Sequence, residues 1–100
     1  MVNLHIFLEP LAGEEENLEV TFRSHFVPAV SAQDGFINIS LLRPHDSLRT
    51  YVVSFAFENE EKRQKWAVSD AHENSFPKLC ALCSSVRWRN HDVILTNGKQ

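Results

Sequence analysis

The segment from Tyr51 to Phe57, with the sequence YVVSFAF, is apolar at almost every position. Its aromatic and β-branched residues favour a β-strand. A strand from a sheet with one solvated face alternates apolar and polar side chains, and this segment barely alternates. We therefore predict that residues 51–57 form a strand in a sheet that is covered on both faces.

Three further segments are predicted to be strands, at residues 2–9, 36–42 and 86–95. In the first of them Leu4, Ile6 and Leu8 would occupy one face of the sheet, and His5 and Phe7 the other, because side chains alternate along a strand. Whether His5, or Asn38 on the second predicted strand, can reach a pocket beneath the helices therefore depends on which sheet face the helices cover.

A helix is predicted between the first two strands. Three glutamates at residues 14–16 favour the positive end of a helix dipole, and an apolar stripe continues to about Ser31. Pro28 lacks a backbone donor, so we expect a kink or an early end of the helix there. Asp34-Gly35 predicts a turn. The apolar stripe consists of Leu18, Phe22, Phe26 and Val30.

The second helical region is predicted in two pieces. Asn59 can cap a short charged helix from residue 60 to about residue 68, and Ser69 offers a second cap. Pro77 is acceptable only if the second piece restarts near it, with the proline in the first turn. The residues that follow the spacing of a buried helical face are Phe76, Leu79, Cys80 and Cys83.

The order of elements is β-α-β-β-α-β, which predicts an α+β, ferredoxin-like fold with a four-stranded antiparallel sheet and helices on one face. The 100 residues are expected to form a single domain, with a structured core at 2–95 and a frayed tail at 96–100. Because the helices cover one sheet face only, we expect a second copy of the chain to cover the other in a homodimer.

Composition restricts the partners and the compartment. A net charge of −3 argues against nucleic acid as the main partner. The sequence shows neither a signal peptide nor an apolar run that could span a membrane, so we expect a cytoplasmic protein without a membrane partner. Cys80 and Cys83 are predicted to be small core residues of a helix. The five histidines lack metal-site spacing, so we predict no metal.

Four short motifs follow one another in a fixed order along the chain. Gly13 precedes an acidic helix start, residues 34–36 (DGF) open the second strand, and residues 57–59 (FEN) close the third. Residues 69–76 (SDAHENSF) form a Ser/Thr-x-x-His-x-x-x-Phe-like run. In their order and spacing, over nearly the whole chain, these motifs resemble the antibiotic biosynthesis monooxygenase family, and the resemblance implies a dimeric α+β barrel.

The same resemblance implies several possible activities, because one fold can carry many reactions. Family members include cofactor-free oxygenases of polycyclic phenols, haem-degrading enzymes and an enzyme that processes a quorum-signal sugar phosphate. The quinone-forming oxygenases use an asparagine and a tryptophan where this chain has Val53 and Phe57. Haem-degrading members share Trp66, but Phe76 stands at the place of their haem-ligating histidine, so haem degradation is disfavoured. The sugar-phosphate enzyme is similar only around His72 and around residues 22–23.

His72 is the candidate catalytic residue. At the start of the last helix a neutral imidazole could exchange a proton near pH 7, and the helix dipole there should lower its pKa unless Asp70 or Glu73 offsets the effect. The alternative is a histidine that caps the helix or contacts a second subunit. Trp66 is predicted to line a substrate pocket, or simply to anchor its short helix.

Four other residues are predicted to line the pocket: Phe22, His25, Tyr51 and Phe76. His25 would be a pocket-facing base or a solvated neighbour of the apolar stripe, and Tyr51 would orient a substrate hydroxyl or be an ordinary buried tyrosine. Arg87 and Arg89 could bind an anion or be exposed edge charges. His5 and Asn38 can reach the pocket only if their strand faces point toward it.

Two classes of function remain open. The first is a cofactor-independent monooxygenase that acts on a small phenolic metabolite in a pocket between helices and sheet. His72 would accept the proton and Trp66 would form the wall, with no cofactor required. The alternative is a dimeric protein that binds a small molecule without chemistry, or a sugar-phosphate-processing enzyme of the same fold. A cleft filled by Phe22, Phe26 and Trp66 would speak against the enzyme.

Overall fold

The computed structural model describes residues 1–98 and contains one antiparallel sheet of four strands, in which residues 36–42, 51–57, 2–10 and 83–92 lie side by side in that order. This arrangement confirms the predicted ferredoxin-like α+β fold. The elements in chain order are β1 (Val2–Pro10), α1 (Glu15–Thr21), a π-helical segment (Phe22–Phe26), α2 (Val27–Ser31), β2 (Phe36–Leu42), β3 (Tyr51–Phe57), α3 (Glu60–Ala67), α4 (Asp70–Cys80) and β4 (Cys83–Asp92).

Strand β3 carries its three aromatic residues on one side of the sheet. Tyr51, Val53, Phe55 and Phe57 are buried and pair with the buried face of β1, beneath the helices. Val52, Ser54 and Ala56 face the other side of the sheet, where they are buried or half-buried. The helices and the sheet therefore enclose a core that lies on one side of β3.

The helix between β1 and β2 continues past Pro28 to Ser31, as far as predicted, so of the two alternatives at the proline the early end is not found. A π-helical segment over Phe22–Phe26 precedes the proline, which occupies the first turn of α2. A wider turn at this point accommodates the residue that cannot donate a backbone hydrogen bond. The rings of Phe22 and Phe26 stack with centroids 5.8 Å apart, and both side chains are buried.

The turn before β2 needs its glycine. Gly35 has a positive φ of 83°, and a β-carbon there would meet the side chain of Lys62 on α3. The carbonyl oxygen of Gly35 also accepts a 2.8 Å hydrogen bond from the backbone nitrogen of Glu58. This close approach attaches the start of β2 to the end of β3 and to α3.

The last helix and strand differ from the sequence prediction. Helix α4 begins at the Ser69 cap and continues through Pro77, so the proline is not in the first turn. Because Pro77 has no backbone N–H, the carbonyl oxygen of Glu73, four residues earlier, has no donor within the helix. Both residues are exposed, so water can donate to that oxygen. Strand β4 starts at Cys83, three residues before the predicted Val86, because Cys83 pairs with the end of β1.

Cys83 is accordingly a strand residue and Cys80 the last residue of α4, so the prediction of one helical face for both was wrong. Residues 93–98 of the predicted strand end and tail form no regular element, and positions 99–100 lie outside the described residues. No helix within residues 1–98 has the length and apolar character required to cross a bilayer.

Candidate active site

A cavity of about 200 Å³ lies between the helices and the sheet, and we call it the aromatic cavity. Its wall is apolar apart from a guanidinium, an imidazole and the indole N–H groups. It is therefore an open space with polar groups, although Phe26 and Trp66 occupy part of the cleft. The lining residues are Leu4, Ile6, Phe26, Phe55, Arg63, Trp66, Ala67, His72, Phe76 and Trp88.

Two helix caps bring the key side chains to this wall. The Asn59 side chain accepts a 2.9 Å hydrogen bond from the Lys62 nitrogen and starts α3, which confirms the predicted cap. The Ser69 hydroxyl accepts a 3.1 Å hydrogen bond from the backbone nitrogen of His72, at the start of α4. Residues three or four positions apart share a helix face. Arg63 and Trp66 on α3, and His72 and Phe76 on α4, consequently point to one place.

His72 packs between two aromatic rings. Its ring centroid is 5.0 Å from that of Trp66, edge to face, and 5.1 Å from that of Phe76. Its Nδ1 atom is fully buried and has no hydrogen-bond partner within residues 1–98, which leaves Nε2 as the ring nitrogen that a ligand can reach. Ser69 supplies the cap, so the His72 side chain is free of that role.

The pKa of His72 is lowered from its ordinary value because burial disfavours the charged imidazolium, while the Glu73 carboxylate acts in the opposite direction. This direction agrees with the sequence prediction, but the main cause is desolvation rather than the helix dipole. At neutral pH the ring is therefore unprotonated, and it can accept a proton.

Tyr51 and Phe22 line a different and more open cleft, of about 480 Å³. The other residues that line it are Glu19, Arg23, Val27, Leu41 and Arg43. The Tyr51 hydroxyl donates a 2.5 Å hydrogen bond to Glu19 Oε2, and Arg43 donates two to the same carboxylate. Hydrogen bonds from Arg43, and then from Tyr51, hold the pKa of Glu19 at about 2. Tyr51 and Phe55 lie roughly 14 Å apart along β3, since a strand rises about 3.4 Å per residue. The predicted pocket set is thus divided between two cavities.

The remaining candidates lie outside the aromatic cavity. His25 is exposed and lines neither cavity. Because β1 and β3 turn Leu4 and Phe55 toward the helices, His5, Asn38, Arg87 and Arg89 fall on the opposite sheet face. There the Arg87 guanidinium lies 5.5 Å from the centre of the Phe7 ring. These groups cannot reach a ligand beside His72.

Among the lining residues that carry an N–H donor in the side chain, Arg63 and Trp88 were not predicted. Trp88 lies between the two outward-facing arginines of β4, points to the cavity side, and is 64% exposed at the cavity rim. The alternation of side chains along β4 could have indicated the orientation of Trp88, once it was known which face of β1 lies toward the helices. Arg63 lies three positions before Trp66, a spacing that places both on one helix face.

The described residues contain neither a metal-binding cluster nor a reactive thiol. No three histidine, cysteine or acidic side chains within residues 1–98 converge on a position for a metal ion. Cys80 and Cys83 are free and half-buried, and burial raises the pKa of both thiols, that of Cys83 to about 11. Both are protonated and weakly nucleophilic at neutral pH.

Comparison with solved structures finds the same fold in several other proteins. A mutant of MhuD with two manganese protoporphyrin IX molecules per active site is 27% identical, with a TM-score of 0.83 over 99% of this chain and 100% of that one. A haem-degrading protein from Mycobacterium tuberculosis is also 27% identical, with a TM-score of 0.73 over 98% and 100%. SnoaB, a cofactor-independent oxygenase from Streptomyces nogalater, is 16% identical, with a TM-score of 0.86 over 98% and 97%.

No curated protein matches the sequence significantly. The sequence profile of the family described as antibiotic biosynthesis monooxygenase matches residues 1–77, which include β1 to β3, α3 and the first part of α4. That range contains His72, Trp66 and Phe76. The chain therefore belongs to the antibiotic biosynthesis monooxygenase family.

Proposed function

We propose that the protein is a cofactor-independent monooxygenase that oxidises a small phenolic compound in the aromatic cavity. The observation that carries this proposal is the neutral imidazole of His72, set in an aromatic wall beside Trp66 and Phe76. A proton acceptor in a dry aromatic site is what a phenol needs in order to become an electron-rich phenolate.

The cavity volume limits the substrate to a small ring system. An apolar cavity of about 150 Å³ can hold benzene, so about 200 Å³ suits one substituted aromatic ring. Leu4, Ile6 and Phe55 would contact the ring from the sheet, and Trp66 and Phe76 from the helices. The exposed indole of Trp88 marks the side from which a ligand could enter.

The reaction needs no external reductant. His72 Nε2 takes the hydroxyl proton, and the phenolate passes electrons to dioxygen, so that a carbon–oxygen bond forms at a ring carbon and a hydroperoxide results. Removal of the hydrogen from that carbon then breaks the O–O bond. One oxygen atom remains as a new carbonyl, and the other leaves as water, so the substrate supplies all four electrons.

Oxygen uptake tests this proposal directly. The purified protein, incubated with a panel of monocyclic phenols and hydroquinones, should consume dioxygen and form a quinone. With isotopically labelled dioxygen, mass spectrometry should find one labelled atom in the product. Binding of these phenols without oxygen uptake would instead favour the non-catalytic binding protein, and the oxygenase proposal would be abandoned.

Haem degradation is a second candidate, because the two haem-related structures are 27% identical over essentially the whole chain. Against it, Phe76 cannot ligate iron, and a cavity of about 200 Å³ lies below the roughly 300–1,000 Å³ typical of sites for larger ligands. Titration with haemin separates the candidates: we expect no Soret shift at stoichiometric protein, and a saturable shift with one-to-one binding would favour haem.

We further propose that a second copy of the chain covers the sheet face opposite the helices. Phe7, Val52 and Leu42 place apolar area on that face, and Ala56 is 2% exposed there. Polar groups such as Asn3 and Ser54, which share a 3.3 Å hydrogen bond, lie among them. A mixed apolar and polar surface of this kind suits a face that pairs with its own symmetry mate.

A further inference from the structure

The permanent charge in the wall of the aromatic cavity belongs to Arg63, whose side chain is 20% exposed. Its Nε atom donates to Glu60 Oε1, and Glu60 Oε2 accepts a 2.6 Å hydrogen bond from the Asn90 amide. Glu60 thus connects Arg63 on α3 to Asn90 on β4. These contacts restrict the guanidinium to one position at the cavity wall.

The arrangement leaves most of the donors of Arg63 unused. A guanidinium has five N–H donors, and the ion pair with Glu60 engages only the one on Nε. Neither Nη group has a hydrogen-bond partner within residues 1–98. By contrast, Arg43 and Arg49 both commit an Nη group to a carboxylate. Arg63 is therefore held by one edge, and its remaining donors are available to a ligand.

Unsatisfied donors of a cation in an apolar wall favour an anionic ligand. A carboxylate or phenolate oxygen can accept two parallel hydrogen bonds from a guanidinium, and the low polarity of the surroundings strengthens them. Burial makes His72 a weak base, so a phenol in this cavity loses its proton readily only if another group stabilises the phenolate. Arg63 lines the same cavity and can supply that stabilisation.

We propose that Arg63 is the specificity-determining residue of this cavity, that it selects aromatic ligands bearing an ionisable hydroxyl or carboxyl group, and that it holds them as anions. The oxidation of the bound anion rests on the proposed function. The preference of the cavity for anionic aromatic ligands does not. A purely structural Arg63 would tie α3 to β4 and would treat charged and neutral aromatic ligands alike.

A pair of probes of similar shape and different charge tests the proposal. 4-Nitrophenol and nitrobenzene differ by one hydroxyl group, and the phenolate of the former absorbs visible light. The wild-type protein should bind 4-nitrophenol at least roughly tenfold more tightly than nitrobenzene, since an adjacent cation favours ionisation by about one pKa unit or more. The absorbance titration of the bound probe should shift to lower pH accordingly.

Variants of α3 provide the matched comparison. Arg63→Gln should remove the preference for 4-nitrophenol and leave the affinity for nitrobenzene within about twofold, whereas Arg63→Lys should retain part of the preference. Lys65→Gln is the control, because Lys65 carries the same charge on the same helix, is 69% exposed and does not line the cavity.

Each outcome has a defined consequence. Equal affinity of the wild-type protein for the two probes, or a preference that survives Arg63→Gln, overturns the role of Arg63 and leaves the oxygenase proposal standing. A preference that depends on Arg63, without oxygen uptake on any phenol, supports the role of Arg63 and overturns the oxygenase. Binding of neither probe overturns both. The wild-type comparison stands even if a variant fails to fold.

Discussion

The imidazole of His72 stands edge-on to the indole of Trp66, with the two ring centroids 5.0 Å apart and the ring planes at 77°. One residue belongs to α4 and the other to α3, and the Ser69 cap lies between the two helices. Ser69 also donates from its hydroxyl to the Trp66 carbonyl at 2.7 Å. The cap therefore determines both the start of α4 and the place of the candidate base.

Replacing His72 by Ala should reduce the rate of phenol oxidation by roughly a hundredfold or more, because a positioned general base contributes about 10²–10⁴-fold. The melting temperature should change little, since the Ser69 cap bonds to the backbone of residue 72 and survives the substitution. His25→Ala is the matched control, as His25 is exposed. Steady-state oxygen uptake by the three proteins measures the effect, and full activity of His72→Ala would remove His72 from the mechanism.

The pH dependence of the activity should show the lowered pKa of His72. Because the neutral ring is the active form, kcat/KM should decline on acidification with a midpoint below the ordinary value of 6.5. An NMR titration of the His72 ring, assigned by its loss in the His72→Ala variant, should give a midpoint below 6.5. A midpoint above 6.5 would contradict the role of burial.

The same shift affects folding stability with a definite sign. Above pH 6.5 the ring is neutral in both the folded and the unfolded chain, and the full stability is present. As the pH falls through 6.5 toward the lower pKa of the folded state, the unfolded chain binds the proton first, and the free energy of unfolding decreases. Urea unfolding at several pH values should show this loss, and His72→Ala should reduce it.

Trp66 should be important for stability as well as for binding. It is 2% exposed and meets Phe26 edge to face at 5.7 Å, so Trp66→Ala should lower the free energy of unfolding by about 3–5 kcal/mol. Val68→Ala, two positions later at an 82% exposed site, should change it by less than about 0.5 kcal/mol. Chemical unfolding of both variants checks this, and equal effects would contradict the assigned burial.

Dimerisation through the open sheet face should be sensitive to charge at Val52. The wild-type chain should sediment at twice its mass at micromolar concentration, and Val52→Asp should yield a folded monomer, because an unpaired charge is costly to bury in an interface. Val20→Asp, at a 49% exposed site on α1, is the control and should leave the dimer intact. A wild-type monomer, or a Val52→Asp dimer of unchanged stability, would exclude this interface.

Much of the fold could be predicted because its signals are local. The strands at residues 36–42 and 51–57 and the caps Asn59 and Ser69 depend on alternation, β-branched side chains and one hydroxyl or amide near a helix start. The clustering of Trp66, His72 and Phe76 follows from helix periodicity together with the family resemblance. Each of these features involves residues close in sequence, so their physical causes can be recognised without coordinates.

Tertiary structure decided what periodicity could not. Pro28 and Pro77 lie within helical segments whose residues Phe26 and Leu79 are buried in the core, and this packing is not visible in local sequence signals. Tyr51 faces the same side of the sheet as Phe55 but lines another cleft, because its hydroxyl donates a hydrogen bond to Glu19 on α1.

The position of Arg63 depends on a contact that is distant in sequence. Its partner Glu60 also accepts a hydrogen bond from Asn90 on β4, 27 positions from Arg63 in the chain. Sequence patterns establish which residues share a face, whereas the partners across that face depend on how the elements pack.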